Sequence, residues 1–154
     1  MVDTLDCLTI VVTGLMVGNE LAVAEFMHPA LFRLADDAHA PAAQDLARRL
    51  GRVMPLWYGL SLLLMLVDLY VRWHGSGRVP TLTVIGAVLM GIVILFTLAA
   101  LVPVNTRIAK LDPANPHAGW KADRKRWDTM HQVRVMLLVV SFTLFTAGVL
   151  QALR

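Results

Sequence analysis

Residues 81–102, TLTVIGAVLMGIVILFTLAALV, contain no charged side chain. A helix needs roughly 20 mostly apolar residues to cross the hydrocarbon core of a bilayer, so this stretch predicts a transmembrane helix and decides the fold class. Pro80 stands in its first turn, where a missing N–H costs nothing, and Pro103 stands at its exit. Three further stretches qualify, at about 4–32, 54–73 and 133–150, beside the 80–102 span. Four spans with short connections predict an all-α, integral membrane, antiparallel four-helix bundle, a single domain over residues 1–154.

Composition agrees. Apolar residues make up 57% of the chain and charged residues 16%, which points to lipid as the main solvent. The net charge of +3 does not point to nucleic acid, because the basic residues gather in two connecting segments. Cys7 is the single cysteine, so there is no disulfide framework and no cysteine-based zinc site; an inert thiol, facing lipid or packed, is expected. Met1 to Asp6 carries two Asp and no Lys or Arg, unlike the start of a cleavable signal peptide.

Eleven of the fourteen Lys and Arg fall on one side of the four spans. Arg33, Arg48, Arg49 and Arg52 follow span one, and Arg107, Lys110, Lys121, Arg124, Lys125, Arg126 and Arg134 lie between spans three and four. Only Arg72, Arg78 and Arg154 lie on the other side. The positive-inside rule then puts both termini on the non-cytoplasmic side, with the protein in the cytoplasmic (inner) membrane if it is bacterial. Trp57 and Tyr58 at one end of span two, and Tyr70 and Trp73 at the other, predict two interfacial belts. The stretch PAAQDLARRLGRVMP (41–55) predicts an amphipathic surface helix over about 41–52, with Leu46, Leu50 and Val53 on one face. Residues 111–127, LDPANPHAGWKADRKRW, read as a turn region leading into a basic helical start. Gly14 and Gly18 make a GxxxG spacing, either a close-approach site for a neighbouring helix or chance in a glycine-containing span.

One stretch breaks the apolar pattern. In GNELAVAEFMHPALF (18–32), Glu20, Glu25 and His28 arrive before the helix has crossed. Span three exits at the same level with Asn105 and Arg107, and span four enters there with Trp127, His131 and Arg134. At about 100° per residue, Glu25 and His28 are about 60° apart and Glu20 and His28 about 80°, so all three share one side of an ideal helix. Trp127, His131 and Arg134 form a stripe at four- and three-residue spacings. Ionisable groups in a membrane span normally face a bundle interior or a partner. One Glu–Arg pair would staple the helices; two carboxylates and two imidazoles exceed that need. Pro29 either kinks span one and opens a cavity beside His28, or ends the span.

Two chemistries suit this set. Glu25-x-x-His28 has the spacing of carboxylate-bridged metal bundles, and with Glu20 and His131 it offers a ligand set for Fe, Cu or Zn. Without a metal, dioxygen being the only co-reactant, a carboxylate or imidazole serves as general base and Arg107 or Arg134 steadies a developing oxyanion. Asp68, four residues before Arg72, predicts an interfacial ion pair outside the site. His39, His74 and His117 read as solvated. No Ser-His-Asp arrangement, phosphate-binding loop or heme-attachment motif is present.

Around these residues the chain resembles a known group. MHPALFRL (27–34), LVPVNTRIAKLDP (101–113) and RWDTMHQVRVMLLV (126–139) are similar in order and spacing to the DUF1772, or anthrone oxygenase-like, membrane family. The resemblance covers nearly the whole chain and implies a membrane oxidoreductase that oxidises a lipophilic aromatic small molecule, an anthrone in the characterised members, with dioxygen. By position it carries the family's recurrent residues onto His28, Pro103, Asn105, Arg107, Trp127, His131 and Arg134, with Trp127 in a cofactor-binding place; Glu20 and Glu25 match no family pattern. For that chemistry the residues themselves suggest His131 or Glu25 as base, Arg107 or Arg134 as oxyanion partner and Asn105 as a positioning group, with the role of Glu25 resting on its chemistry and depth alone. The rival readings are a transport or binding module and an accessory protein held by a polar staple. Beyond their cytoplasmic third, spans three and four offer few polar side chains, with Ser141, Thr143 and Thr146 on span four, which argues against a pore in a monomer but not in a homo-oligomer.

Overall fold

Prolines and π turns shape the helices that build the site. In a computed structural model, which describes residues 2–76 and 79–152, α1 (Val2–Ala22) passes through a π turn at Val23–Met27 into α2 (His28–Phe32). After α3 (Asp36–Ser76), α4 (Thr81–Phe96) passes through a second π turn at Thr97–Leu101 into α5 (Val102–Ala109), and α6 (Trp120–Ala152) follows. The described residues contain no strand, and the four helical runs Thr4–Phe32, Asp36–Gly75, Thr81–Ala109 and Trp120–Ala152 are each long and apolar enough to cross a membrane. Met1, Arg78 and Arg154, which entered the charge arguments above, lie outside the described residues.

The two π turns are built alike. His28 N–H bonds the Val23 carbonyl and Val102 N–H bonds the Thr97 carbonyl, and in each case the next residue is proline, Pro29 or Pro103. A proline in a regular helix lacks its N–H and crowds the carbonyl four residues earlier; a π turn takes in one extra residue and moves that carbonyl aside. The helix therefore continues past both prolines. Pro103 does not mark the exit expected of it, since α5 runs on to Ala109.

The expected surface helix and span two also prove continuous. α3 holds Pro41 and Pro55 inside one 41-residue helix, and Pro55 is not in a first turn. Its first half packs Ala43 and Ala47 against Val104, Ile108 and Leu101. The buried face thus runs through alanines, while Leu46 and Leu50 are half-buried and Val53 is exposed. Arg48 Nε donates to the Ala109 carbonyl at 2.9 Å, and Gln44 Nε2 donates to that of Leu111, so α3 caps the carbonyl end of α5.

The main core joins α1, α3, α4 and α6 through Met16, Met65, Met90, Leu138 and Phe145. The closest helix approach is between α4 and α6. A Cβ on Gly148 would stand 2.5 Å from the Thr83 backbone nitrogen, and one on Gly86 2.7 Å from that of Phe145. Ser141 Oγ donates to the Gly86 carbonyl at 2.7 Å across the same seam. Of the GxxxG pair, Gly14 faces Phe142, its Cβ position 3.1 Å from the ring, and Gly18 faces open space. Gly148→Ala is expected to lower stability by about 1–3 kcal/mol through overpacking, and Gly18→Ala to change it by less than about 0.5 kcal/mol. Unfolding midpoints in mixed micelles check both.

Aromatic and charged residues depart from expectation in three places. Tyr70 and Trp73 are exposed as an interfacial belt requires, but Tyr58 is buried and Trp57 turns inward to donate to the Val12 carbonyl at 3.1 Å. Asp68 and Arg72 pair at 2.9 Å, yet the pair is buried and extended by Asp6, 2.6 Å from Arg72 Nη2. His39 is not solvated: it is buried between the edges of Phe32 and Trp120.

Candidate functional site

α6 carries the central stripe of the site. Arg124, Trp127, His131 and Arg134 follow one another at three-, four- and three-residue steps, and all are buried. α1 brings Glu20 and α2 brings His28 to the same level. The π turn between them is responsible. Eight ideal helical steps leave about 80° between Glu20 and His28, but a turn that absorbs one residue reduces this to roughly 20°. Glu20 is 2% exposed and His28 fully buried, whereas Glu25 is exposed.

The rings stack. Trp127 stacks with His28, centroids 4.7 Å apart and planes at 10°, and with His131, at 4.6 Å and 20°, and the two imidazoles are themselves 5.3 Å apart, so the three rings form a triangle. A guanidinium stands against each imidazole. Arg134 Nη2 reaches Glu20 Oε2 at 2.5 Å and His131 Nδ1 at 2.8 Å, and Arg124 Nη2 bonds His28 Nδ1. Guanidinium only donates, so both Nδ1 atoms accept and the imidazole hydrogens sit on Nε2. Asp128 Oδ1 stands 3.2 Å from His28 Nδ1, as Glu20 Oε2 stands 3.3 Å from His131 Nδ1. Two imidazole–arginine–carboxylate groups thus share one indole.

Several N–H groups of this cluster are left over. Arg124 Nε, Trp127 Nε1, His131 Nε2 and Arg134 Nε are buried without a hydrogen-bond partner, while the buried Tyr58 hydroxyl faces the Glu20 carboxylate. Buried donors normally find acceptors, so their concentration here sets this cluster apart from the rest of the core. It adjoins a cavity of about 480 Å³ lined by Glu20, Tyr58, Asn105, Trp127 and Arg134 on its polar side. The remaining wall is apolar, with Leu50, Met54 and Leu62 from α3 facing Ile94, Leu98 and Leu101. Glycines make room: a Cβ on Gly51 would stand 3.1 Å from Asn105 Nδ2, and Gly59 faces open space. Asn105 Nδ2 also donates to the Ala47 carbonyl at 3.2 Å, which fixes its amide at the cavity edge.

Of the residues expected from sequence, Glu20, His28, Asn105, Trp127, His131 and Arg134 come to this region. Two do not. Glu25 is turned outward by the π turn, and Arg107 is half-exposed in a bidentate pair with Asp123 at 2.7 and 2.9 Å. The metal set proposed from Glu25, Glu20, His28 and His131 does not assemble. Among the described residues no three His, Cys, Asp or Glu side chains are placed to share an ion, and both Nδ1 atoms face cationic guanidiniums. Tyr58, Arg124 and Asp128 are additions. Arg124 extends the Trp127–His131–Arg134 stripe by one turn, a periodicity legible in sequence; Tyr58 carries no such signal.

A largely apolar pocket with polar side chains at one end, set among four helices of membrane-crossing length, belongs to a polytopic helical membrane protein. The family model described as anthrone oxygenase matches residues 44–144, from the first half of α3 well into α6, and the chain belongs to that family. The matched segment includes Tyr58, Asn105, Trp127, His131 and Arg134, while Glu20 and His28 precede it. No curated protein and no solved structure matches the chain.

Proposed function

We propose that the protein is a membrane-embedded oxidoreductase of the anthrone oxygenase type, which oxidises a flat, lipophilic phenolic molecule with dioxygen in the pocket beside Glu20 and Arg134. The observation that carries this is the set of unpartnered N–H donors, Trp127 Nε1 and Arg134 Nε foremost, beside an otherwise apolar cavity. Such donors stabilise negative charge developing on oxygen, and strongly so where water is excluded.

Glu20 takes the part of general base. It lies on the cavity wall, whereas Glu25 is turned away and His131 accepts from Arg134 at Nδ1, leaving a donor at Nε2. The carboxylate removes a proton from the methylene carbon across the central ring from the substrate carbonyl, and the electron pair passes through that ring, which becomes aromatic, onto the carbonyl oxygen, held by the Trp127 and Arg134 donors. Dioxygen adds at that carbon and becomes a peroxide, which takes the proton back from Glu20. Loss of water, using the second hydrogen of the carbon and breaking the O–O bond, leaves a new carbonyl. Each turnover consumes one dioxygen and releases one water.

The test is the purified protein in nanodiscs with an anthrone, followed by oxygen uptake and quinone absorbance. Quinone formation above the spontaneous rate, with one dioxygen consumed per quinone, is expected. A rate equal to that of empty nanodiscs would refute the proposal.

The basic end of the bundle, carrying this site, is assigned to the cytoplasm on the charge bias of the connecting segments. A cysteine placed by Asp112→Cys in a Cys7→Ser background should resist a membrane-impermeant maleimide in intact cells and react after permeabilisation. Labelling in intact cells would reverse the orientation.

A further inference from the structure

The cavity does not stop at the inner faces of the helices. Its buried end is formed by Glu20, Tyr58, Trp127 and Arg134, but its lining also includes exposed residues on two neighbouring helical runs. α3 contributes Gly51, Pro55 and Gly59. The run from the second π turn into α5 contributes Leu98, 59% exposed, Val102, 41% exposed, and Thr106. Steps of four residues keep each set on one face. The two runs are antiparallel: Arg48 Nε meets the Ala109 carbonyl at 2.9 Å, and a Cβ on Gly51 would stand 3.1 Å from Asn105 Nδ2. Counting on from these contacts sets Pro55 opposite Val102 and Gly59 opposite Leu98. The cavity therefore opens sideways through a slot, with little or no side chain on one edge and apolar side chains on the other.

One end of the slot is cationic. On the α3 edge, Arg52 and Arg48 lie three and seven residues before Pro55, on the same face. Lys110 follows Ala109, whose carbonyl Arg48 holds. All three are exposed. Arg48 uses Nε on that carbonyl, and among the described residues the side chains of Arg52 and Lys110 have no hydrogen bond or ion pair. The nearby carboxylates are engaged elsewhere, Asp45 with Arg49 at 2.8 Å and Asp112 with the Ala114 N–H at 3.0 Å. Like charges gathered at one place repel, and an anion set among them is stabilised.

Depth agrees. From Arg52 to the exposed Trp73 is 21 residues, roughly 32 Å at helical rise, so Arg52 lies at headgroup level when Trp73 lies in the opposite interface. Pro55 and Gly59 then stand just inside the hydrocarbon. From Arg52 to Tyr58 is six residues, roughly 9 Å at helical rise, comparable to the long dimension of three fused six-membered rings.

We propose that the slot binds an acidic amphiphile, a flat aromatic body carrying a carboxylate. Arg52, Lys110 and the Nη groups of Arg48 hold the carboxylate at headgroup level. The rings lie between Pro55–Gly59 and Leu98–Val102 and point towards Trp127. This names the substrate class for the proposed oxidation and rests on that reading for the chemistry; binding does not depend on turnover.

The probe is anthraquinone-2-carboxylate, with its neutral methyl ester as control, added to the full chain in phosphatidylcholine nanodiscs at low salt. Saturable quenching of tryptophan fluorescence gives Kd. Arg52→Gln and Lys110→Gln should each weaken carboxylate binding by about 5-fold, and together by about 25-fold, with ester binding unchanged. Both positions are exposed, so the variants should keep the wild-type unfolding midpoint. Arg126→Gln, at an exposed cation on α6, should leave both Kd values unchanged. A carboxylate Kd unmoved in the double variant, or equal weakening of acid and ester, would overturn the proposal. Phosphatidylglycerol nanodiscs separate the aromatic acid from a lipid headgroup. The Arg52→Gln effect should persist there; its disappearance would give the cations to the phospholipid and overturn the assignment. Charge-dependent binding without anthrone oxidation removes the oxygenase reading alone, and oxidation without charge-dependent binding removes this inference alone.

Discussion

Arg134→Met is expected to destabilise the protein by about 3–5 kcal/mol, the cost of leaving a buried charge without its partner. Arg134 Nη2 reaches both Glu20 Oε2, at 2.5 Å, and His131 Nδ1, at 2.8 Å. Glu20 is 2% exposed, so water cannot replace the guanidinium. The double variant Glu20→Gln/Arg134→Met removes both charges and should recover most of the loss, which separates pairing from packing. Arg107→Met makes the contrast. Its bidentate bond to Asp123 has equally good distances but lies at the surface, and the unfolding midpoint should stay near that of wild type. Unfolding in mixed micelles measures all four proteins. An Arg134→Met midpoint equal to that of Arg107→Met would show that the Glu20 pair does not hold the bundle together.

Glu20→Gln should also lower the unfolding midpoint, since it leaves the buried Arg134 without its counter-charge. Assayed well below that midpoint, it should lower anthrone turnover by about 10²–10⁴, the usual contribution of a positioned general base. Glutamine keeps the size and one acceptor oxygen for Arg134 but cannot take the proton. Glu25→Gln is the matched control, five residues away on the same span and exposed, and should turn over at the wild-type rate. Full activity in Glu20→Gln would return the base to His131 or Glu25, the two candidates the sequence offered, and loss in Glu25→Gln would single out Glu25.

That choice shows what sequence conveys here and what it does not. The uncharged stretch 81–102 is sufficient for a membrane helix, and the stripe Trp127–His131–Arg134 is sufficient for one buried face, because both rest on regular helical periodicity. Glu20 and Glu25 are different. Their directions depend on a π turn that absorbs one residue, and periodicity cannot reveal it. Pro29 and Pro103 were visible, but a proline announces a disturbance without saying whether the helix stops, kinks or widens. The same ambiguity split α3 in two at Pro55, although helices in membranes accommodate internal prolines. Tyr58 was hidden for another reason. Beside Trp57 it had the composition of an interfacial belt, and only the packing of α3 on α1 turns it inward. Arg107 was drawn toward the site by its depth, but its side chain found Asp123 at the surface first.

The pocket itself offers the most direct test of the proposed chemistry. Gly59 lines the cavity, and a Cβ built there meets nothing within 4 Å. Gly59→Leu therefore projects a side chain into the space assigned to substrate without pushing any helix aside. In nanodiscs, this variant should melt at or above the wild-type temperature and lose anthrone oxidation by at least about 10-fold, since filling the site removes the substrate positioning on which catalysis depends. A well-folded Gly59→Leu protein that oxidises the anthrone at the wild-type rate would mean that the chemistry, if present, happens elsewhere.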